Sequence, residues 1–173
     1  MSKIISDPGA FQKLFADFEH VAFKLEVRRA YGLPSEDIPF QQFLNGQDPG
    51  VAWLQNWLDL MESQTSTGKR VERVRVVDDP PSDYLRFEIF VTPHNLAAGE
   101  DIRYLDRDQA RRLNLPNHDF WLFDSRTLAV LHFDSDNVFL GFETIDAVEE
   151  ILRHCYWRDV AWTHARSFSD YRP

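Results

Sequence analysis

Residues 119–143 read Asp119-Phe120-Trp121-Leu122-Phe123-Asp124-Ser125-Arg126-Thr127-Leu128-Ala129-Val130-Leu131-His132-Phe133-Asp134-Ser135-Asp136-Asn137-Val138-Phe139-Leu140-Gly141-Phe142-Glu143. Three apolar runs are separated by two polar joints, Asp124-Ser125-Arg126 and Ser135-Asp136-Asn137, both good turn material. The stretch predicts strands over roughly 119–124, 127–134 and 138–144, joined as an antiparallel meander. The first two runs are apolar on both faces, which fits central strands covered on both sides, or one face covered by a partner.

Working outward, Asp146 with Glu149 forms an Asp-x-x-Glu capping pattern before a last helix that carries Val148, Ile151, Leu152, Cys155 and Trp162 along one line, interrupted by Asp159. Mid-helix on that line, Cys155 reads as a packed core thiol. Upstream, Asp7-Pro8 places an N-cap before a proline at the first helical position, with Phe11, Leu14, Phe15 and Phe18 at helical spacing. Val21, Phe23, Leu25 and Val27 then alternate with Ala22, Lys24, Glu26 and Arg28, which predicts a strand with one buried face. Ser35 is the expected cap of a short helix with Phe40, Phe43 and Leu44. Asp48-Pro49 opens another with Trp53, Trp57 and Met61, and Gly68 is its expected C′ residue. Lys69 to Val77 alternates again, Val74 and Val76 one way, Arg73 and Arg75 the other. Ser82 caps a helix through Val91, where Thr92-Pro93 either kinks it or starts a new turn. Gly99 ends that region, Ile102 to Leu105 reads as a strand, and Asp106 as the cap of a short helix.

These elements predict one α+β domain over residues 1–173: a mixed β-sheet that ends in a C-terminal three-stranded antiparallel meander, packed by several helices including a long C-terminal helix. The only break with linker character is Asp78-Asp79-Pro80-Pro81, and halves of that size hold too small a core to stand alone.

Composition narrows the function classes. The formal charge is −9, from 28 acids against 19 Lys and Arg. So acidic a chain argues against direct nucleic-acid binding, because phosphate contacts need a basic face. Aromatic content of 14% excludes a disordered chain. One cysteine rules out an intrachain disulfide framework or a cysteine-based zinc site. The N-terminal residues lack the apolar run of a signal peptide, and no segment approaches the ~20 apolar residues that span a bilayer. The expectation is a cytoplasmic protein with no membrane contact.

Standard catalytic signatures are missing: no Gly-x-Ser-x-Gly, no Walker A loop, no Gly-x-Gly-x-x-Gly and no His-Glu-x-x-His. The best polar constellation lies in the meander. A two-residue turn at Ser125-Arg126 would set Asp119 opposite His132 on one face, with Asp134 nearby. A carboxylate beside an imidazole fixes its tautomer and raises its pKa, as a general base needs. More often such a pair is a structural hydrogen bond at a sheet edge. His94 and Asp101 could join the same cleft, and with Glu100 they have the donor types for a divalent metal, but at spacing that is not diagnostic. Asp134-Ser135-Asp136-Asn137 opens like a calcium loop yet lacks its later glycine and glutamate. No metal or cofactor is therefore expected. Arg73, Arg75 and Arg103 are the candidate binders of an anionic ligand, against the alternative of a solvated or salt-bridged face. Trp53 and Trp57 are core residues or, if exposed, binding anchors.

The spaced motifs Leu14-Phe15, Phe23-Lys24-Leu25-Glu26-Val27, Ser82-Asp83-Tyr84 with Arg86-Phe87, Thr92-Pro93-His94-Asn95 and Ala98 to Leu105 resemble a family of small actinomycete proteins. Asp119 to Asp124, Leu131 to Asp134 and Trp157-Arg158-Asp159 continue the resemblance over nearly the full length. That family is a domain of unknown function, so the resemblance implies no chemistry. It implies company with helix-turn-helix regulators, beside which such proteins are often encoded. One departure is Asn137, where members often carry Gly; Asn tolerates the left-handed region, so the turn should survive. The leading expectation is a protein-interaction or regulatory module that works with a DNA-binding regulator or other partner. The alternative is a small hydrolase or phosphoesterase-like enzyme with His132 as base and Asp119 as its orienter. A homodimer through the doubly apolar meander is a further expectation.

Overall fold

In the computed structural model, which describes residues 4–171, one seven-stranded mixed sheet organises the chain. Of the N-terminal stretch read above for a signal sequence, Met1 to Lys3 lie outside the described residues. The strands are β1 (Val21–Glu26), β2 (Arg70–Val77), β3 (Glu100–Asp106), β4 (Phe120–Phe123), β5 (Thr127–Phe133), β6 (Phe139–Ile145) and β7 (Arg166–Ser167). The helices are α1 (Pro8–Asp17), α2 (Asp37–Leu44), α3 (Gln55–Thr65), α4 (Asp83–Ala97), α5 (Arg107–Arg112) and α6 (Val148–His164), with 3₁₀ turns at Pro34–Glu36 and Ala52–Leu54. Strand order is β6-β5-β4-β1-β2-β3-β7. The central trio β1, β2 and β3 is parallel, and β4, β5 and β6 form the expected antiparallel meander on one side of it.

Parallel pairing needs helical crossovers, and these cover the sheet. Phe23 and Leu25 of β1, Val74 and Val76 of β2, and Phe120 and Leu122 of β4 form one core with Ala161 and Trp162 of α6. On the other face Ala22, Val71, Trp121, Phe123, Ala129 and Leu131 pack on Phe15 and Phe18 from α1 and its end, and on Leu58 and Met61 of α3. The aromatic C-terminal segment folds back on the body, with Tyr171 stacked on Tyr104 at 4.3 Å.

Local signals hold at several ends. Asp7 accepts from Gly9 N at 3.1 Å and Ser82 from Leu85 N at 3.1 Å, each satisfying an orphan N–H. α4 runs through Thr92-Pro93 as one helix, and Gly99 leaves it at φ +94°. Asn137 takes φ +64°, so the turn survives without glycine, and Asp134 braces it by accepting from Asp136 N and Val138 N.

Five expectations are corrected. The helix expected to open at Asp48-Pro49 starts at Gln55, after the 3₁₀ turn. β1 is buried on both faces, because α1 and α3 pack over Ala22 and Glu26 is enclosed by Arg73 and Arg75 on its polar side. Ser35 caps nothing, since the 3₁₀ turn runs into α2 without a side-chain cap. α6 begins after Ala147, so Asp146 is not its N-cap. Asp106 stands at the N-cap of α5 but spends its carboxylate on Arg166 at 2.9 Å.

Candidate functional site

Alternation along β1 puts Lys24 and Glu26 on the face under α4, and alternation along β2 does the same for Arg73 and Arg75. Parallel register sets Lys24 beside Arg73 and Glu26 beside Arg75. Glu26 is the hub. It accepts from Arg73 through Nε (3.0 Å) and Nη2 and from Arg75 Nε (2.7 Å), and it pairs with Lys24 Nζ (3.0 Å). Arg73 extends the cluster to Glu100 at 3.0 Å, whose second oxygen accepts from Trp57 Nε1 (2.9 Å) and Asn95 Nδ2 (2.6 Å). Arg75 reaches Thr92 Oγ1 at 3.1 Å and Glu88 at 3.5 Å. The Thr92 hydroxyl donates to Glu88 O and accepts from the Tyr104 hydroxyl.

Above this floor lies a cavity of about 510 Å³ with aromatic walls that include Tyr31, Trp53, Trp57, Tyr84, Phe87, Trp121 and Phe133. Charges on a floor and flat apolar walls are the composition of a small-molecule site. Lys24 is its freest donor: Glu26 is its only ion-pair partner among the described residues, and the ammonium lies over the rings of Tyr31 and Trp121. Arg73 and Arg75 are engaged on several sides and hold the floor rigid.

Protonation states diverge across the floor. Burial would raise Glu26, but Arg73, Lys24 and Arg75 hold its carboxyl well below the usual range. Glu88 has only the longer Arg75 contact, and burial pushes it up to about 7, with Arg75 opposing and Glu26 adding to the rise. Two carboxylates forced apart in this way are the pattern of acid–base chemistry. Beside them, burial and then Asp119 push the Tyr31 phenol well above its ordinary value.

The Glu88 proton gives a stability prediction. The folded state keeps the proton over a range, from the ordinary glutamate value of 4.5 to about 7, where the unfolded chain releases it. The folded state binds more protons there, so stability contributed by Glu88 is full at low pH, falls as pH rises through that window, and is level above it. Glu88→Gln abolishes this loss. Urea unfolding should find the variant close to the parent at pH 5 and up to roughly 3 kcal/mol more stable at pH 8. Equal differences at both pH values would contradict a raised Glu88.

The residues singled out from sequence fall in different places. Register β4–β5 pairs Phe123 with Thr127 and Phe120 with Val130, one residue off the expected pairing. The loop is Asp124-Ser125-Arg126, with φ +53° and +56° at its first two residues. Asp119 therefore sits opposite Leu131, on the face away from His132, and its carboxylate accepts from Val27 N (2.9 Å) and the Tyr31 hydroxyl. His132 lies 3.4 Å from Glu143 instead. His94 is exposed on α4, Asp101 is exposed and paired with Arg103 at 3.3 Å, and Asp134 serves its turn. His94, Asp101, Asp119, His132 and Asp134 do not converge. Arg103 stacks on Trp162 at 3.7 Å, far from the cavity lining. Arg73 and Arg75 are in the site, as floor residues rather than on a solvated face. Lys24, Glu26 and Glu88 were missed, and Glu100 was read as an oxygen donor beside His94 and Asp101 instead of a partner of Arg73. Their signal was present in the polar faces of two neighbouring strands with complementary charge, Lys24/Glu26 against Arg73/Arg75. Trp53 and Trp57 are cavity walls, Trp53 stacked on Phe87 at 5.6 Å.

The architecture is a mixed α+β sheet with a charged cavity under two crossover helices. The sequence profile of the family described as Domain of unknown function (DUF6879) matches residues 9–173, and the chain belongs to that family. Among curated proteins, none is matched by sequence. Two solved structures share the fold. A phospholipase D family member, Nuc from Salmonella typhimurium, aligns with a TM-score of 0.54 at 12% identity over 100% of this chain and 99% of its own. NucT from Helicobacter pylori aligns with a TM-score of 0.52 at 12% identity over 96% and 98%. At that identity the likeness is one of fold. No helix among the described residues is long and apolar enough to cross a membrane.

Proposed function

We propose that the protein is a hydrolase for a small molecule with an anionic group and a flat body, bound in the cavity over Glu26. The observation that carries this reading is the cavity itself, a charged floor under aromatic walls with a half-buried carboxyl, Glu88, that is pushed up to about 7. Lys24, with unspent N–H donors, holds the anion. Trp53, Trp57 and Trp121 hold the flat part, since aromatic faces bury much area at small entropic loss. Glu88 gives a proton to the leaving group and recovers one from water, as a group with a pKa near ambient pH does best. With Glu88 protonated, Lys24, Arg73 and Arg75 balance Glu26, Glu100 and Glu36 of the lining, so the anion is held by the local charge of Lys24 and not by a net positive cavity. The shared fold with a phospholipase D family member raises the hydrolase alternative over a pure binding role, by analogy only.

A second reading, a module that binds a protein partner such as a helix-turn-helix regulator or a second copy, is supported by the exposed apolar residues Val148, Leu152 and Tyr156 at successive turns of α6. A cytoplasmic setting goes with either reading.

One experiment separates them. Native mass spectrometry of the protein purified from its own host should show a retained small organic molecule, lost from Lys24→Met. That molecule should then be turned over by the parent and at least ~100-fold more slowly by Glu88→Gln, in line with loss of a general acid. A stoichiometric protein partner with an empty cavity would move the assignment to the second reading.

A further inference from the structure

A cluster of three histidines lies on the opposite face of the sheet from the cavity, under α6. His118, just before β4, brings its Nε2 to 3.0 Å from Nε2 of His154 on α6. Nδ1 of His154 is 2.7 Å from Glu150 O, one turn earlier, so Nδ1 carries the hydrogen and Nε2 presents a lone pair. An imidazole tethered through one nitrogen to a backbone carbonyl, with the other aimed outward, is how metal-binding histidines are commonly held.

His132 is the independent sign. Continuing the β4–β5 register two pairs beyond Phe120 and Val130 sets it opposite His118, on the same face. Its Nε2 is buried and makes no hydrogen bond, for the carboxylate of Glu143, 3.4 Å away, lies outside hydrogen-bonding geometry. A buried nitrogen without a partner calls for an explanation, and a missing ion is one.

We propose that His118 and His154 form a binding site for an imidazole-preferring divalent cation of the Zn²⁺ class, completed by His132 or Glu143. Two nitrogens on a tetrahedral zinc, each at about 2.0–2.1 Å, stand about 3.3 Å apart. The present spacing opens to that value by a few tenths of an ångström. Among the described residues no three ligating side chains already surround one point, so the third ligand arrives by side-chain rotation of His132 or Glu143. Both side chains are partly open to solvent, at 34% and 23% exposure. The donor set of imidazoles with one carboxylate suits Zn²⁺ better than Mg²⁺ or Ca²⁺, which take oxygen. The site is separate from the cavity and does not depend on its assignment.

The test is titration of chelator-treated full-length protein with Zn²⁺ alone, by calorimetry, and with Co²⁺ alone, by visible absorption. One equivalent should bind with a Kd of about 10 μM or tighter, and Co²⁺ should give the intense bands of a tetrahedral centre. His118→Gln, at a half-exposed position that tolerates the change, should weaken binding at least tenfold. His132→Gln should alter the cobalt spectrum, whereas His94→Gln, on exposed α4, should change nothing. No saturable binding, or binding of equal strength in His118→Gln, overturns the proposal and leaves the pair as a hydrogen bond between neutral imidazoles.

Discussion

Glu26→Gln should destabilise the protein by about 3–5 kcal/mol, the range for removing one partner of a buried ionic cluster. Glu26 is 2% exposed and is shared by Lys24, Arg73 and Arg75. The amide keeps the shape, so the loss measures charge rather than packing. After the change the buried Arg73 and Arg75 and the half-buried Lys24 face Glu100 and a carboxyl, Glu88, that desolvation keeps reluctant to ionise. Arg73 retains Glu100, and Arg75 retains Thr92 and the long Glu88 contact, which limits the damage to local loosening of the site if the protein stays folded. Urea midpoints at pH 7 give the measurement. Adding Arg75→Met to Glu26→Gln should recover part of the loss, because one uncompensated cation goes with it. A double variant weaker by the full sum of the two single losses would mean that the carboxylate acts through packing and not through charge.

Phe15→Ala should cost about 3–5 kcal/mol, as a large buried aromatic cut to a methyl group commonly does. Phe15 is 1% exposed and meets Trp57, Trp121 and Phe123 edge-on at 5.4, 4.9 and 5.2 Å, with Phe11 at 5.5 Å. Such edge-to-face pairs add to the area term. Phe11, Trp57 and Trp121 also line the cavity, so the hole left by Phe15 lies behind its wall. Any ligand held between those rings should bind more weakly in Phe15→Ala than in a Phe15→Leu control, which refills most of the volume. A loss below about 1 kcal/mol in thermal or urea unfolding would show that the wall collapses to fill the hole.

Much of the architecture was legible because it rests on local chemistry. The three runs of the meander, the Asp7-Pro8 and Ser82 helix starts and the left-handed Asn137 turn each depend on residues within a few positions of one another. The alternation of Val74 and Val76 with Arg73 and Arg75 was also plain, since side chains on a strand switch faces at every residue. The candidate site was half legible. Arg73 and Arg75 were marked as binders of anions, but their partners were not, because Glu26, Glu88 and Glu100 come from three other elements.

Register shows how little separates the two sources of information. Opening the β4–β5 turn by one residue moved His132 away from Asp119 and toward His118, because a one-residue slip exchanges the faces of a strand. Turn composition specifies that a turn forms; packing of Trp121 and Phe123 against Phe15 on one face, and of Phe120 and Leu122 on the other, selects its length. The sequence by itself determined which segments become most of the strands and helices and, within a single strand, which residues share a face. Only the tertiary structure decided that the polar faces of β1 and β2 are covered rather than wet. That choice depends on α3 and α4 closing over them, and once they do, opposite charges on adjacent strands must pair with each other, since water is no longer there to solvate them.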